Sequence, residues 1–173
     1  MTHGYDIGTL LLRIALGITM LAHGYNHAWG GGKLAGTARW FESIGIRPGR
    51  VHAFLATATE LAVAPLLFLG LLTPLAAAGV LGVMLVALIS NHLKNGYFIF
   101  RPGEGYEYVL FISFAALALG ALGGGGWSID RLLFDHGVAG CRWLFGWHGL
   151  LITAVAGGGG AALLLATCWR PNR

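Results

Sequence analysis

An all-α integral membrane protein is the fold class this sequence predicts, on three observations. Charged residues make up only 10% of the 173, hydrophobic residues make up 56%, and the mean hydropathy is +0.70. An average soluble domain is about 25% charged, so this chain lacks the polar groups to cover a soluble globule of its length. The apolar residues also fall into blocks of about 20, the length an α-helix needs to cross about 30 Å of hydrocarbon. Finally, no stretch shows the roughly ten-residue alternation of polarity that a membrane β-barrel requires. One membrane domain accounts for the whole length and leaves no soluble catalytic domain.

The first apolar segment spans residues 7–28 and ends in a polar and aromatic cluster, Leu21-Ala22-His23-Gly24-Tyr25-Asn26-His27-Ala28-Trp29. Its N-terminal side lacks the basic region of a cleavable signal peptide, which keeps the segment in the mature protein. Arg13 lies near enough to one end for its stem to carry the charge to the interface, and snorkelling is favoured over a buried ion pair. A connector of residues 29–50 follows, in which Leu34, Ala38 and Phe41, with Trp40 at the edge, share one side of a helix. This predicts a short amphipathic helix over residues 34–44, bounded by Gly-rich and Pro-Gly turns.

The second segment, residues 51–72, holds Glu60 and Pro65; a proline here removes one backbone bond and frees the carbonyl of Leu61, beside Glu60. Thr73-Pro74 predicts a tight turn, so the second and third segments form an antiparallel hairpin. The third, residues 75–93, is aliphatic until Ser90-Asn91-His92. After a polar connector, Tyr106-Glu107-Tyr108 opens the fourth segment, which stops at Gly123-Gly124-Gly125-Gly126. Residues 127–148 mix charges with aromatics and are read as one amphipathic helix lying on the membrane. A fifth span, residues 149–169, carries Gly157-Gly158-Gly159-Gly160, which permits close packing but weakens helix propensity.

The net charge of +4 and the pI near 9.4 do not indicate nucleic acid, because no basic stripe is present and the positive residues sit between apolar blocks. With five crossings, the connectors after segments one, three and five hold most of the lysines and arginines. The positive-inside rule then places the N-terminus outside and the C-terminus in the cytoplasm; if the last segment only lies on the surface, the C-terminus changes sides. Cys141 and Cys168 make no metal pattern, and their predicted positions near opposite faces argue against a disulfide.

This topology brings His23, His27, His92 and Glu107 to the cytoplasmic face, with Glu60 about 13 Å deeper at 1.5 Å per residue. An acidic group at that depth faces protein or water and marks a functional site. A neutral Glu60 hydrogen-bonding two helices together is the structural alternative. His23 and His27, one turn apart, share a helix face that could ligate a metal or haem, but interfacial histidines bonded to loops are the stronger reading, so no metal or haem is expected. Tyr25, Trp29, Trp40, Tyr97, Tyr106 and Tyr108 fall where an aromatic belt is expected anyway.

Leu12-Arg13-Ile14-Ala15-Leu16-Gly17, Leu21-Ala22-His23-Gly24, Leu34-Ala35-Gly36-Thr37-Ala38-Arg39-Trp40-Phe41, Ser43-Ile44-Gly45, Thr59-Glu60-Leu61, Gly70-Leu71-Leu72-Thr73-Pro74, Asn91-His92 and Gly105-Tyr106-Glu107-Tyr108 together resemble the DoxX family in order and spacing, over residues 10–130. The resemblance implies a four-helix transmembrane bundle in residues 1–126, to which this chain adds residues 127–173, with an interfacial segment and a fifth transmembrane helix. DoxX is named for its likeness to a subunit of an archaeal thiosulfate:quinone oxidoreductase, and some bacterial members associate with oxidative-stress and sulfur-redox proteins.

By that resemblance the chain is expected to be a membrane subunit of a redox or oxidative-stress system. It would bind quinone or another lipid-soluble redox partner in a polar pocket near the cytoplasmic side. Glu60 and His23 are the candidate proton relay, and His92, Glu107, Asn91, Asn26, Tyr25 and Trp40 are the candidate ligand-binding residues. Histidine and a membrane carboxylic acid suit that task because both change protonation state at accessible pH. No Cys-rich cluster motif or dinucleotide fingerprint is present to carry electrons, so a protein partner in a membrane redox complex is expected, along with membrane lipid; self-association is left open. The alternative reading is a non-enzymatic lipid-binding scaffold that recruits a partner. A transporter is disfavoured by five spans without an evident inverted repeat.

Overall fold

Glycine and proline divide the chain into the predicted segments, and the computed structural model describes residues 3–171. Helix α1 is His3–Trp29, α2 is Lys33–Ser43 and α3 is Gly49–Leu69. Helix α4, Thr73–Ala87, runs on through a π turn, Leu88–His92, and a short 3-10 turn. Helix α5 is Glu107–Leu122 and α6 is Ile129–Asp135. The chain closes with α7, Gly146–Ile152, a second π turn, Thr153–Gly157, and α8, Gly158–Cys168, which together make one rod.

Four of these units, His3–Trp29, Gly49–Leu69, Thr73–Asn95 and Gly146–Cys168, are long and apolar enough to cross a membrane. Helix α5 is shorter; its 16 residues cover about 24 Å at 1.5 Å per residue. The chain is therefore an all-helical, multi-pass membrane protein. Its outer surface is what lipid requires: Leu11, Phe111, Val155 and Leu163 are all more than half exposed. Helix α1 packs on α3, α4 packs on α5, and the terminal rod lies across α4 and α5. Their shared core contains Met20, Leu67, Ala77, Val80 and Leu119, each fully or almost fully buried.

Small residues set the helix separations, since they let backbones approach closely. A Cβ on Gly24 would lie 2.8 Å from Leu61 and 3.1 Å from the Cβ of Glu60, so glycine is what lets α1 touch α3 at that level. A Cβ on Gly157 would lie 2.6 Å from the carbonyl oxygen of Ala78, so the rod meets α4 backbone to backbone.

Two expectations are corrected at the end of the bundle that holds the α3–α4 turn. Arg13 does not snorkel: it is fully buried and donates to the carbonyls of Leu67 at 3.2 Å, Phe68 at 3.3 Å and Trp127 at 2.6 Å. The Leu67 carbonyl also accepts from the capping Gly70 N–H at 3.2 Å, and the end of α3 carries the negative end of the helix dipole, so it supplies a site for a cation inside the fold. Residues 127–148 do not form one amphipathic helix either. Gly137 and Gly140, at φ 72° and 88°, interrupt the segment, leaving α6 and a separate 3-10 turn at Cys141–Leu144.

Asp130, one of the charged residues of that segment, turns inward and is fully buried. It accepts from the backbone N–H groups of Leu72 at 2.7 Å and Thr73 at 2.8 Å, capping the start of α4. Ser128 caps α6 through the N–H of Arg131. Asp6 accepts from the N–H of Gly126 at 2.6 Å. The glycine run at residues 123–126 thus threads between polar side chains, and a Cβ on Gly125 would collide with Thr9.

Candidate functional site

From the other end of the bundle a cavity of about 550 Å³ runs among α1, α2, α3, α4 and α8. Most of its wall is aliphatic or glycine, and its polar groups gather in the half nearer α2: His23, His27, His52, Thr59, Glu60, Ser90, Asn91, His92, Glu104 and Tyr108. That composition, an apolar slot with a few convergent polar groups, is typical of a small-molecule site, as is a volume of about 300–1,000 Å³.

The α3 wall follows helical spacing: His52, Leu55, Ala56, Thr59 and Glu60 fall three, four, seven and eight positions along from the first. Glu60 is 1% exposed. His27 Nδ1 approaches Glu60 Oε2 to 2.9 Å, with the His27 side chain 17% exposed. The approach is short but off-axis, so neither atom has a hydrogen bond of good geometry. His52 is 7% exposed, and its Nδ1 likewise has no partner. On the cavity wall, therefore, the His27–Glu60 contact is not a well-aligned hydrogen bond and His52 Nδ1 has none, leaving bonding capacity that a ligand would use.

His92 is different, because its bonds are complete. Its ring lies 2.9 Å from the carbonyl of Glu104 through Nδ1 and 2.9 Å from the Tyr108 hydroxyl through Nε2. A carbonyl can only accept, so the network assigns the proton to Nδ1, and Nε2 accepts from Tyr108 and from the Asn91 amide at 3.3 Å. The π turn over residues 88–92 presents Ser90, Asn91 and His92 to the cavity; such turns recur at functional sites. Asn95 donates to the carbonyls of Asn91 and Glu104 from below, so the residue 96–105 loop is tied to the end of α4.

Helix α2 covers the polar end. Its buried Ala38 and Phe41 pack with Ile46 and Ala53, and Trp40, Phe41, Ile44 and Ile46 line the cavity. Thr37 donates to the carbonyl of His27, holding α2 against the last turn of α1.

Of the residues singled out from sequence, Glu60, His23, His92, Asn91 and Trp40 line this cavity, whereas Tyr25, Asn26 and Glu107 do not. Tyr25 packs outward on Trp29, Asn26 is exposed, and Glu107 sits in the first turn of α5. The histidine that reaches Glu60 is His27, one turn beyond His23, whose ring meets His27 edge-on at 6.5 Å. His52 was missed; the signal for it was its place on the same α3 stripe as Glu60. Among the described residues no group of three or more His, Cys, Asp or Glu side chains could hold a metal ion.

The fold and cavity define a multi-pass helical membrane protein with a pocket between its helices and an ionisable pair on the pocket wall. The chain belongs to the DoxX family, whose pattern matches residues 8–93. A Bacillus subtilis (strain 168) protein named "Putative oxidoreductase CatD" is 33% identical over 119 residues, which is 69% of this chain and 83% of that relative. No solved structure matches the chain.

Proposed function

We propose that this protein is a membrane subunit of a redox system that binds a quinone, or a similar lipid-soluble redox partner, in the cavity bounded by His27, His52 and Glu60. The observation that carries this reading is the close but misaligned His27–Glu60 pair on the wall of a largely apolar slot, together with the unpartnered Nδ1 of His52 on the same wall. A quinone offers carbonyl acceptors on an apolar ring, and it takes up two protons when it is reduced. The imidazoles of His27 and His52 can donate to such acceptors. Glu60, against His27, can hold or release a proton in a site nearly closed to water. Trp40 and Phe41 on α2 line the cavity beside its polar groups, and His92, fully bonded, fixes the α4 wall rather than exchanging protons. Electrons would enter through a partner protein; the name of the Bacillus relative agrees with a role in redox chemistry. The excess of Lys and Arg in the connectors supports a cytoplasmic location for the histidine end.

The test is mass spectrometry of solvent extracts from the protein purified in native nanodiscs, wild type against Glu60→Gln. Near-stoichiometric quinone that is lost in the variant is the expected result. A different lipid in its place would overturn the redox reading in favour of a lipid-binding scaffold, and bulk lipid alone would leave Glu60 as a bond between helices.

A further inference from the structure

We infer that the terminal rod, which lies outside the residues matched by the family pattern, builds the wall of a slot for a single linear hydrocarbon tail, with Gly160 setting the slot's width. This rests on the reading that a lipid-soluble ligand places its polar head at His27 and Glu60, and it names where the rest of that ligand lies.

The cavity does not stop at its polar end. It continues along α4 from Ser90 to Leu75, a run of about 22 Å at 1.5 Å per residue. That is far longer than a ring needs and suits an extended prenyl or acyl chain. Helix α4 is the floor, with Gly79 and Gly82 on the slot side, and α3 is one wall. The opposite wall comes from the rod through Gly157, Gly160, Ala161 and Leu164, spaced so that they share one helix face.

The two glycines of that face differ. Gly157 is demanded by packing, since its Cβ would strike the Ala78 carbonyl, whereas a Cβ on Gly160 meets no atom within 4 Å. Nor does Gly160 have a positive φ. Neither contact nor backbone explains its lack of a side chain, yet glycine weakens a helix interior. What its absence does is leave the slot open. Gly159 is equally uncrowded but is not part of the lining, which makes it a matched control.

The rod is also fixed to the cover of the polar end. Arg47 N–H donates to the carbonyl of Cys168, Arg170 N–H to that of Gly45, and the Trp169 indole to that of Ile44. Ile44 and Ile46 line the cavity, so one element bounds the tail slot and holds the connector beside the head.

The experiment uses the full chain in nanodiscs and two probes, a dimethoxy-methyl-benzoquinone with a decyl tail and the same quinone without one, with affinities expressed as mole fraction in the bilayer. Wild type and Gly159→Phe should prefer the tailed probe at least tenfold; Gly160→Phe should lose that preference and keep its affinity for the tailless probe within twofold. Ala156→Phe, on the same lining, should behave as Gly160→Phe does. Retention of the tail preference in both lining variants would overturn the inference, as would its absence in wild type that binds the tailless probe. If wild type binds neither quinone, the quinone reading fails by itself, and extracted lipid decides the slot. An acyl lipid that copurifies with wild type and Gly159→Phe but not with Gly160→Phe upholds it, and equal lipid in all three overturns it.

Discussion

His27 and Glu60 meet across the α1–α3 contact at 2.9 Å, at the level where Gly24 removes the side chain that would keep the helices apart. The proximity of the pair is thus a consequence of a glycine one turn before the histidine. A carboxyl 1% exposed beside an imidazole can exchange a proton with it, and neither atom has a hydrogen bond to any other described residue.

Gly24→Ala should therefore disturb both packing and site. Its Cβ would stand 2.8 Å from Leu61, an overpacking strain of about 1–3 kcal/mol. Thermal unfolding in detergent should show the loss, with reduced ligand retention, whereas Gly8→Ala, which meets nothing within 4 Å, should change neither.

Arg13 should be needed for stability, not for binding, because it is not part of the cavity lining. Arg13→Met leaves the carbonyls of Phe68 and Trp127 without this donor, at about 1–3 kcal/mol for a buried acceptor left unsatisfied, while Leu67 keeps the Gly70 N–H. Arg13→Lys should recover only part of this, since an ammonium cannot reproduce the planar fork. Unfolding midpoints of the two variants, with ligand content unchanged per folded protein, check the expectation.

Asp130→Ala should destabilise the start of α4 by at least about 2 kcal/mol, given about 1.5–3 kcal/mol for a hydrogen bond to a charged group. Amide exchange at Leu72 and Thr73, the two donors it accepts from, should accelerate before exchange in the core. Asp130→Asn should fall between, because an amide keeps one acceptor oxygen.

His92→Phe should release the loop between α4 and α5 by removing its bonds to Glu104 and Tyr108. Tyr108→Phe removes only one of these. Proteolysis within residues 96–105 should be fastest in His92→Phe, and the double variant should be no faster, as expected for two residues acting through one network.

Most of the fold was legible in the sequence because a bilayer sets one simple rule: apolar blocks of helix length cross it. Glu60 stood out for the same reason, as an acid inside such a block. The partner of Glu60 was not legible. His23 and His27 share a face, and which of them reaches Glu60 depends on where α1 meets α3, which Gly24 decides in three dimensions. Arg13 misled because depth alone cannot show that the end of another helix offers it backbone carbonyls. Asp130 misled because a short helix after a glycine run looks like a surface element until its aspartate is seen to cap α4. Tyr25, Asn26 and Glu107 were placed by height in the membrane, and height does not say which way a side chain points. His52 was recoverable, had the Glu60 stripe been traced back along its helix.

The most direct test of the account is an infrared difference spectrum recorded as the decyl benzoquinone is added to the protein in nanodiscs. A change in one carboxyl band, present in wild type and absent in Glu60→Gln, is predicted, because the ligand would alter the bonding of a buried acid beside His27. Bound quinone with no carboxyl change in wild type, or the same change in Glu60→Gln, would contradict it.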